Sequence, residues 1–184
     1  MSVTIAKWTL DEYHHMIEVG LLEHRQVELL NGEIVEMSPE GEPHAYYSTE
    51  TDNYLRKVLG DRVTIRPGKP ITIISSNSEP EPDLAIVQPL GREYLHHHPY
   101  PENIFWLIEF SNTSLSKDTE IKRKTYATAG IREYWVMDLK HHQLKVFRDP
   151  VSGDYQSELV LTTGTINPLA FPEVEISVQQ LLEG

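Results

Sequence analysis

The sequence predicts a single mixed α/β domain, and three observations carry that expectation. A strand, helix, strand unit occupies 104–136, and a crossover of this kind joins parallel or near-parallel neighbours of one sheet. Turn signals at Asn31-Gly32, Pro67-Gly68 and Gly153-Asp154 separate apolar runs and read as β-hairpins. A length of 184 residues suits one domain with a real core, spanning 1–184.

From the N-terminus, Thr9 is placed to cap a helix over 10–19 that Gly20 closes, with Leu10, Tyr13, Ile17 and Leu21 as its apolar face. Strands over 26–30 and 33–37 flank Asn31-Gly32, a pair suited to the type I′ turn that right-twisted strands prefer. The run Ser38-Pro39-Glu40-Gly41-Glu42-Pro43 breaks the pattern, and His44 opens a second helix over 44–59, again followed by a glycine. A strand over 62–66, the Pro67-Gly68 turn and a strand over 71–74 read as another hairpin. The polar loop 75–80 then delivers Glu81-Pro82-Asp83 into the apolar run 84–87. Asp83 thus stands at the mouth of a buried strand, where an acidic residue more often caps or functions than packs.

After a long loop over 89–102 comes the nearly continuous apolar run 104–110, the pattern of a strand buried on both faces, with Glu109 inside it. An ionised carboxylate there needs a metal, a lysine or a set of amides, since unpaired desolvation costs roughly several kcal/mol. The next segment, 118–129, reads as a helix ending at Gly130 and places Asp118, Lys122 and Tyr126 on one face. An aromatic strand over 131–136, a hairpin over 144–147 and 155–161, and a short helix over 177–182 complete the chain. No repeat or low-complexity segment is present.

Composition narrows the function classes. No window approaches the roughly 18 apolar residues of a membrane span, the first fifteen residues lack a signal-peptide pattern, and there is no Cys. A cytoplasmic protein without disulfides, thiol metal sites or membrane attachment is expected. The net charge of −12 argues against a broad basic grip on nucleic acid. It does not exclude a nuclease, because carboxylates that collect a cation inflate the negative count, and Lys117, Lys122, Arg123 and Lys124 form a local basic patch.

Two carboxylates on apolar strands, Asp83 and Glu109, suit a hard divalent cation such as Mg²⁺ or Mn²⁺ if they converge. Lys122, reaching in from the helix, is the candidate to orient an attacking water and offset charge in the transition state. The same residues also fit a plainer arrangement, in which Asp83 caps a turn and Lys122 pairs with Asp118 at i, i+4.

The ordered set Pro82-Asp83, Glu109, Asp118 with Lys122 and Tyr126, and Gly130-Ile131-Arg132-Glu133-Tyr134-Trp135 resembles the Uma-two-like restriction endonuclease family of the PD-(D/E)XK nuclease superfamily. Upstream, Glu28-Leu29-Leu30-Asn31-Gly32-Glu33 and Ser38-Pro39 followed by His44 match the same pattern, so the resemblance runs from about Tyr13 to Leu182. It implies a restriction-endonuclease-like mixed central sheet flanked by helices, with the β-hairpins as additions. It further implies Asp83 and Glu109 as metal ligands, Mg²⁺ or Mn²⁺ as cofactor, a lysine assisting the attacking water, and DNA as substrate. One departure stands out: the superfamily places a lysine two residues after the strand acid, where this chain has Ser111. The family's lysine sits on the following helix, which selects Lys122 here, with Lys124 as the other candidate.

Glu28 completes the metal shell directly or through water if the resemblance holds, and is an exposed hairpin carboxylate if it does not. His44 can bind phosphate, shuttle a proton, or simply begin its helix. His96-His97-His98 lie too close in a proline-containing loop to face one ion together, and His14-His15 and His141-His142 read as surface residues. Two functions follow: a Mg²⁺-dependent endonuclease acting on DNA as a homodimer, or a catalytically inactive nuclease-fold binding or assembly module.

Overall fold

The structure is a computed structural model that describes residues 5–111 and 117–184; the side chains of residues 117–119 also lie outside what is described. In chain order the elements are α1 (Leu10–Glu18), β1 (Val27–Leu30), β2 (Glu33–Glu36), α2 (Glu42–Leu59), β3 (Thr64–Pro67), β4 (Leu84–Val87) and β5 (Ile104–Ser111). They continue with α3 (Arg123–Thr128), β6 (Glu133–Asp138), β7 (Gln143–Val151), β8 (Asp154–Leu161), β9 (Thr165–Ile166), β10 (Ile176–Ser177) and α4 (Val178–Glu183).

Six strands form a mixed sheet in the order β3-β4-β5-β6-β7-β8. Its parallel pair is β5 with β6, the two strands joined through α3, and the other neighbours run antiparallel. Alternation along each strand divides the core into two layers. Trp106, Ile108 and Phe110 of β5 pack with Leu55 and Leu59 of α2 and Leu181 and Leu182 of α4. Leu107 of the same strand packs on the other face with Val136 and with Tyr126 and Ala127 of α3. Burial on both faces is why the β5 sequence is nearly uninterrupted in its apolar character. The expected mixed central sheet flanked by helices is present, as are the expected hairpins β1/β2 and β7/β8.

Local chemistry explains the element ends. Thr9 and Glu12 form the capping box of α1, and Ser177 caps α4 through the Gln180 N–H. The β1/β2 turn carries positive φ at both Asn31 and Gly32, the backbone a type I′ turn demands. A Cβ at Gly32 would also meet Lys7 Cβ at 2.9 Å and the Trp8 carbonyl at 3.0 Å, so glycine is needed there twice over. Asn31 donates through Nδ2 to Thr125 Oγ1 at 2.9 Å, pinning the hairpin turn to α3.

Three expectations are corrected. The segment 71–74 is not a strand paired with 62–66. β3 pairs with β4 instead, and residues 71–80 fold back on themselves, with Ile71 N–H donating to Pro80 O and Ile73 N–H to Ser78 O. The Gly68 N–H bonds to Asp83 O, so Pro67-Gly68 opens a long excursion to the partner strand rather than a tight hairpin. The second helix starts at Glu42, not His44, with proline in its first turn. The helix over 118–129 is two pieces, a π-helical turn Lys117–Lys122 and the α-helix α3. Among the described residues, no helix is long and apolar enough to cross a membrane.

Candidate active site

The ends of β4 and β5 bring Asp83 and Glu109 to neighbouring positions of the backbone. Leu84 faces Ile108 across the antiparallel pair, so one step further the bend residue Asp83 stands opposite Glu109 in register; Glu109 projects to the α3 side, whereas the Asp83 carboxylate meets His44 of α2. Asp83 Oδ2 accepts from the Phe110 N–H at 2.6 Å, the amide that directly follows Glu109. The same oxygen lies 3.0 Å from His44 Nε2, and the edge of the Phe110 ring meets the His44 ring at 5.8 Å. α2 thus contributes the imidazole that holds the Asp83 carboxylate from the other layer.

Glu109 is 3% exposed, and its partners come from α3 and the turn before it. Lys122 Nζ donates to Glu109 Oε1 at 2.8 Å, and the Tyr126 hydroxyl donates to the same oxygen at 3.1 Å. The four-residue spacing of Lys122 and Tyr126 aims both at one point. Lys122 is itself buried and lies 3.4 Å from Glu28 Oε2. Glu28, wholly buried on β1, also accepts from the Glu81 N–H at 3.1 Å. It is therefore not an exposed hairpin carboxylate. Burial raises the Tyr126 hydroxyl well above its ordinary pKa, with the Glu109 charge adding to the effect, so it remains a donor. Burial also raises the Glu81 carboxyl, and the Glu28 charge raises it further.

The structure thus links Glu28, Lys122 and Glu109 in one ion-paired chain and sets Asp83 with His44 one peptide away from it. The Asp118 side chain lies outside the described residues, so its pairing with Lys122 does too. Lys124 is exposed and lines a groove on the far side of α3. The basic patch read from the sequence therefore splits: Lys122 points inward, while Arg123 pairs with Asp154 at 2.6 Å. His97 stacks on Tyr100 and His98 approaches Arg66, so neighbouring histidines of the loop serve different partners. His14, read as a surface residue, is half exposed, yet its Nε2 sits 2.9 Å from the buried Glu79.

Three residues near this centre escaped sequence reasoning. Tyr126 was placed on the correct face without a role, although its spacing from Lys122 was the signal. Glu81 lies two residues before Asp83, and its N–H donates to Glu28 Oε2. Glu40, four residues before His44 and just ahead of α2, lies 3.7 Å from His44 Nδ1.

Among the described residues, one cluster of ligand-type atoms has the composition a divalent cation takes. Glu40, His44 and Asp83 each present one ligand-type atom within 4.8 Å of the others. Glu109 is not in that group; its Oε1 is directed to Lys122 and Tyr126. Asp83 and Glu109 each carry carboxylate oxygens, and oxygen is the ligand Mg²⁺ and Mn²⁺ take.

The sequence model of the Uma2 family, described as "Putative restriction endonuclease", matches residues 10–179. No curated protein matches the chain. Among solved structures, the fold is similar to that of "a putative nuclease belonging to DUF820 from Anabaena variabilis ATCC 29413", with a TM-score of 0.69 and 18% sequence identity. The likeness covers 95% of this chain and 97% of that one.

Proposed function

The chain belongs to the Uma2 family, and from that premise we propose that it is a metal-dependent endonuclease that hydrolyses DNA phosphodiester bonds. In this reading Asp83 and Glu109 hold Mg²⁺ or Mn²⁺, and Lys122 assists the attacking water. The observation that carries it is the 2.8 Å contact between Lys122 Nζ and Glu109 Oε1. It supports a helix-borne ammonium at the point where the superfamily pattern brings a lysine from the strand position held here by Ser111.

The cation, when bound, supplies Lewis acidity toward a phosphoryl oxygen and makes a nearby water more acidic. The remaining work falls to the chain. His44 fixes the Asp83 carboxylate through Nε2 and leaves a second ring nitrogen toward Glu40. Tyr126 fixes the Glu109 carboxylate. Lys122 carries a positive charge beside the reacting phosphate, offsetting the charge that builds as the water attacks. Glu28 holds that ammonium in place from behind.

A second reading, an inactive nuclease-fold binding or assembly module, is favoured by Lys122 being engaged by two carboxylates at once. Calorimetric titration with Mn²⁺ separates the two: wild type binds and Asp83→Ala does not if the proposal holds. Equal heats for both proteins, together with intact plasmid DNA in Mg²⁺ or Mn²⁺, favour the module.

A further inference from the structure

The sheet register carries the level of the two site carboxylates across the molecule. Asp83 faces Glu109 when the β4/β5 ladder is extended by one residue. Glu109 then pairs with Val136, Val136 with Lys145, and Lys145 with Val160. Partners across a ladder project to one face, so Lys145 stands on the α3 side of the sheet, two strands from Glu109. At roughly 4.8 Å per strand that separation is about 10 Å.

At that position a groove of about 420 Å³ opens between α3 and the β7/β8 hairpin, lined by Glu120, Arg123, Lys124, Lys145, Phe147 and Glu158. Its cationic wall is held in place. The Arg123 guanidinium lies 5.3 Å over the Phe147 ring and is anchored by Asp154 at 2.6 Å. Among the described residues, Lys124 and Lys145 enter no salt bridge. In a chain of net charge −12, Lys124, which acts on Asp154 only at longer range, and Lys145 stand beside a fixed arginine, positioned for an anion from outside.

We propose that this groove binds a backbone phosphate of the nucleic acid strand, flanking the phosphate at the Asp83–Glu109 site, with Lys124 and Lys145 as its contacts. This deepens the nuclease reading and rests on it for the identity of the strand. The rise per nucleotide along a strand is about 3.4 Å, so a strand that passes around α3 and spans about 10 Å or more between the two positions carries the second phosphate several nucleotides from the first. Glu120 and Glu158 border the groove and limit it to a narrow grip, consistent with a chain that has no broad basic face.

The test is fluorescence anisotropy with a labelled DNA duplex in Ca²⁺ over a range of salt concentrations, using wild type, the double variant Lys124→Gln/Lys145→Gln, and Lys57→Gln. Lys57 is exposed on α2, on the opposite side of the sheet. Each phosphate contact contributes about 0.9 to the slope of log affinity against log salt. The double variant is expected to lose about one unit of slope and roughly tenfold in affinity at moderate salt, with an unchanged melting temperature, while Lys57→Gln matches wild type. An unchanged slope in the double variant, an equal loss in Lys57→Gln, or no DNA binding by wild type overturns the groove assignment. Cleavage is scored separately on plasmid DNA. Cleavage with an unchanged slope leaves the nuclease reading standing without the groove, and a lysine-dependent slope without cleavage leaves the groove standing without the nuclease.

Discussion

Lys122 Nζ lies 3.4 Å from Glu28 Oε2, which ties the N-terminal hairpin to the turn that precedes α3 and sets the ammonium between two buried carboxylates. One cation shared by Glu28 and Glu109 makes the centre sensitive to losing its positive member. Removing one partner of a buried pair commonly costs about 3–5 kcal/mol, because the remaining charge stays desolvated. Lys122→Ala is therefore expected to lower stability by about that amount in urea unfolding. A loss of only a few tenths would place Lys122 in a solvated pair instead.

Tyr126→Phe keeps the packing of a wholly buried ring and removes only the bond to Glu109. A hydrogen bond to a charged group contributes about 1.5–3 kcal/mol. The variant is expected to lose stability within that range and to bind Mn²⁺ less tightly, since the carboxylate is less firmly oriented. Unchanged Mn²⁺ affinity would limit the hydroxyl to a structural role.

Glu81 gives a pH prediction. Its carboxyl is raised above the ordinary value of 4.5, first by burial and second by the Glu28 charge, with Lys69 and Lys122 opposing. The folded state therefore holds this proton more tightly than the unfolded chain, and its contribution to stability falls as pH rises from about 4.5 through the raised value. Glu81→Gln removes that loss. Its melting temperature is expected to gain on wild type between pH 4 and pH 7, and a constant difference across that range would contradict the assignment.

His44→Ala removes the imidazole that holds Asp83 Oδ2 but leaves the Phe110 N–H bond to the same oxygen. Loss of a group that orients a ligand typically weakens metal affinity by roughly 10- to 100-fold. Calorimetry with Mn²⁺ should show a drop of that size, smaller than the loss in Asp83→Ala.

Much of this centre was legible from pattern. An acid inside an apolar strand demanded a partner, and Lys122 with Tyr126 at helical spacing supplied it. The crossover between β5 and β6 followed from the same stretch. What stayed hidden depended on contacts between residues distant in sequence. Glu28 reads as a solvated hairpin acid until the Glu79 N–H bonds to Leu29 O and the 71–80 segment folds over β1. The short strands β9 and β10 are two residues each, too brief to leave a period. The β3/β4 pairing leaves no local signal, because the Pro67-Gly68 turn looks like a tight hairpin while the partner strand is reached only through a long excursion.

The central claim is that Asp83, Glu109 and Lys122 act together on a phosphodiester, and nicking of supercoiled plasmid DNA in Mn²⁺ tests it most directly. Wild type should nick the plasmid and stop when the cation is chelated. Glu109→Gln should be inactive, and Lys122→Ala slowed on the order of a hundredfold or more, with circular dichroism confirming that each variant is folded. Cleavage by Glu109→Gln at the wild-type rate, or none by wild type with any divalent cation, would contradict the account.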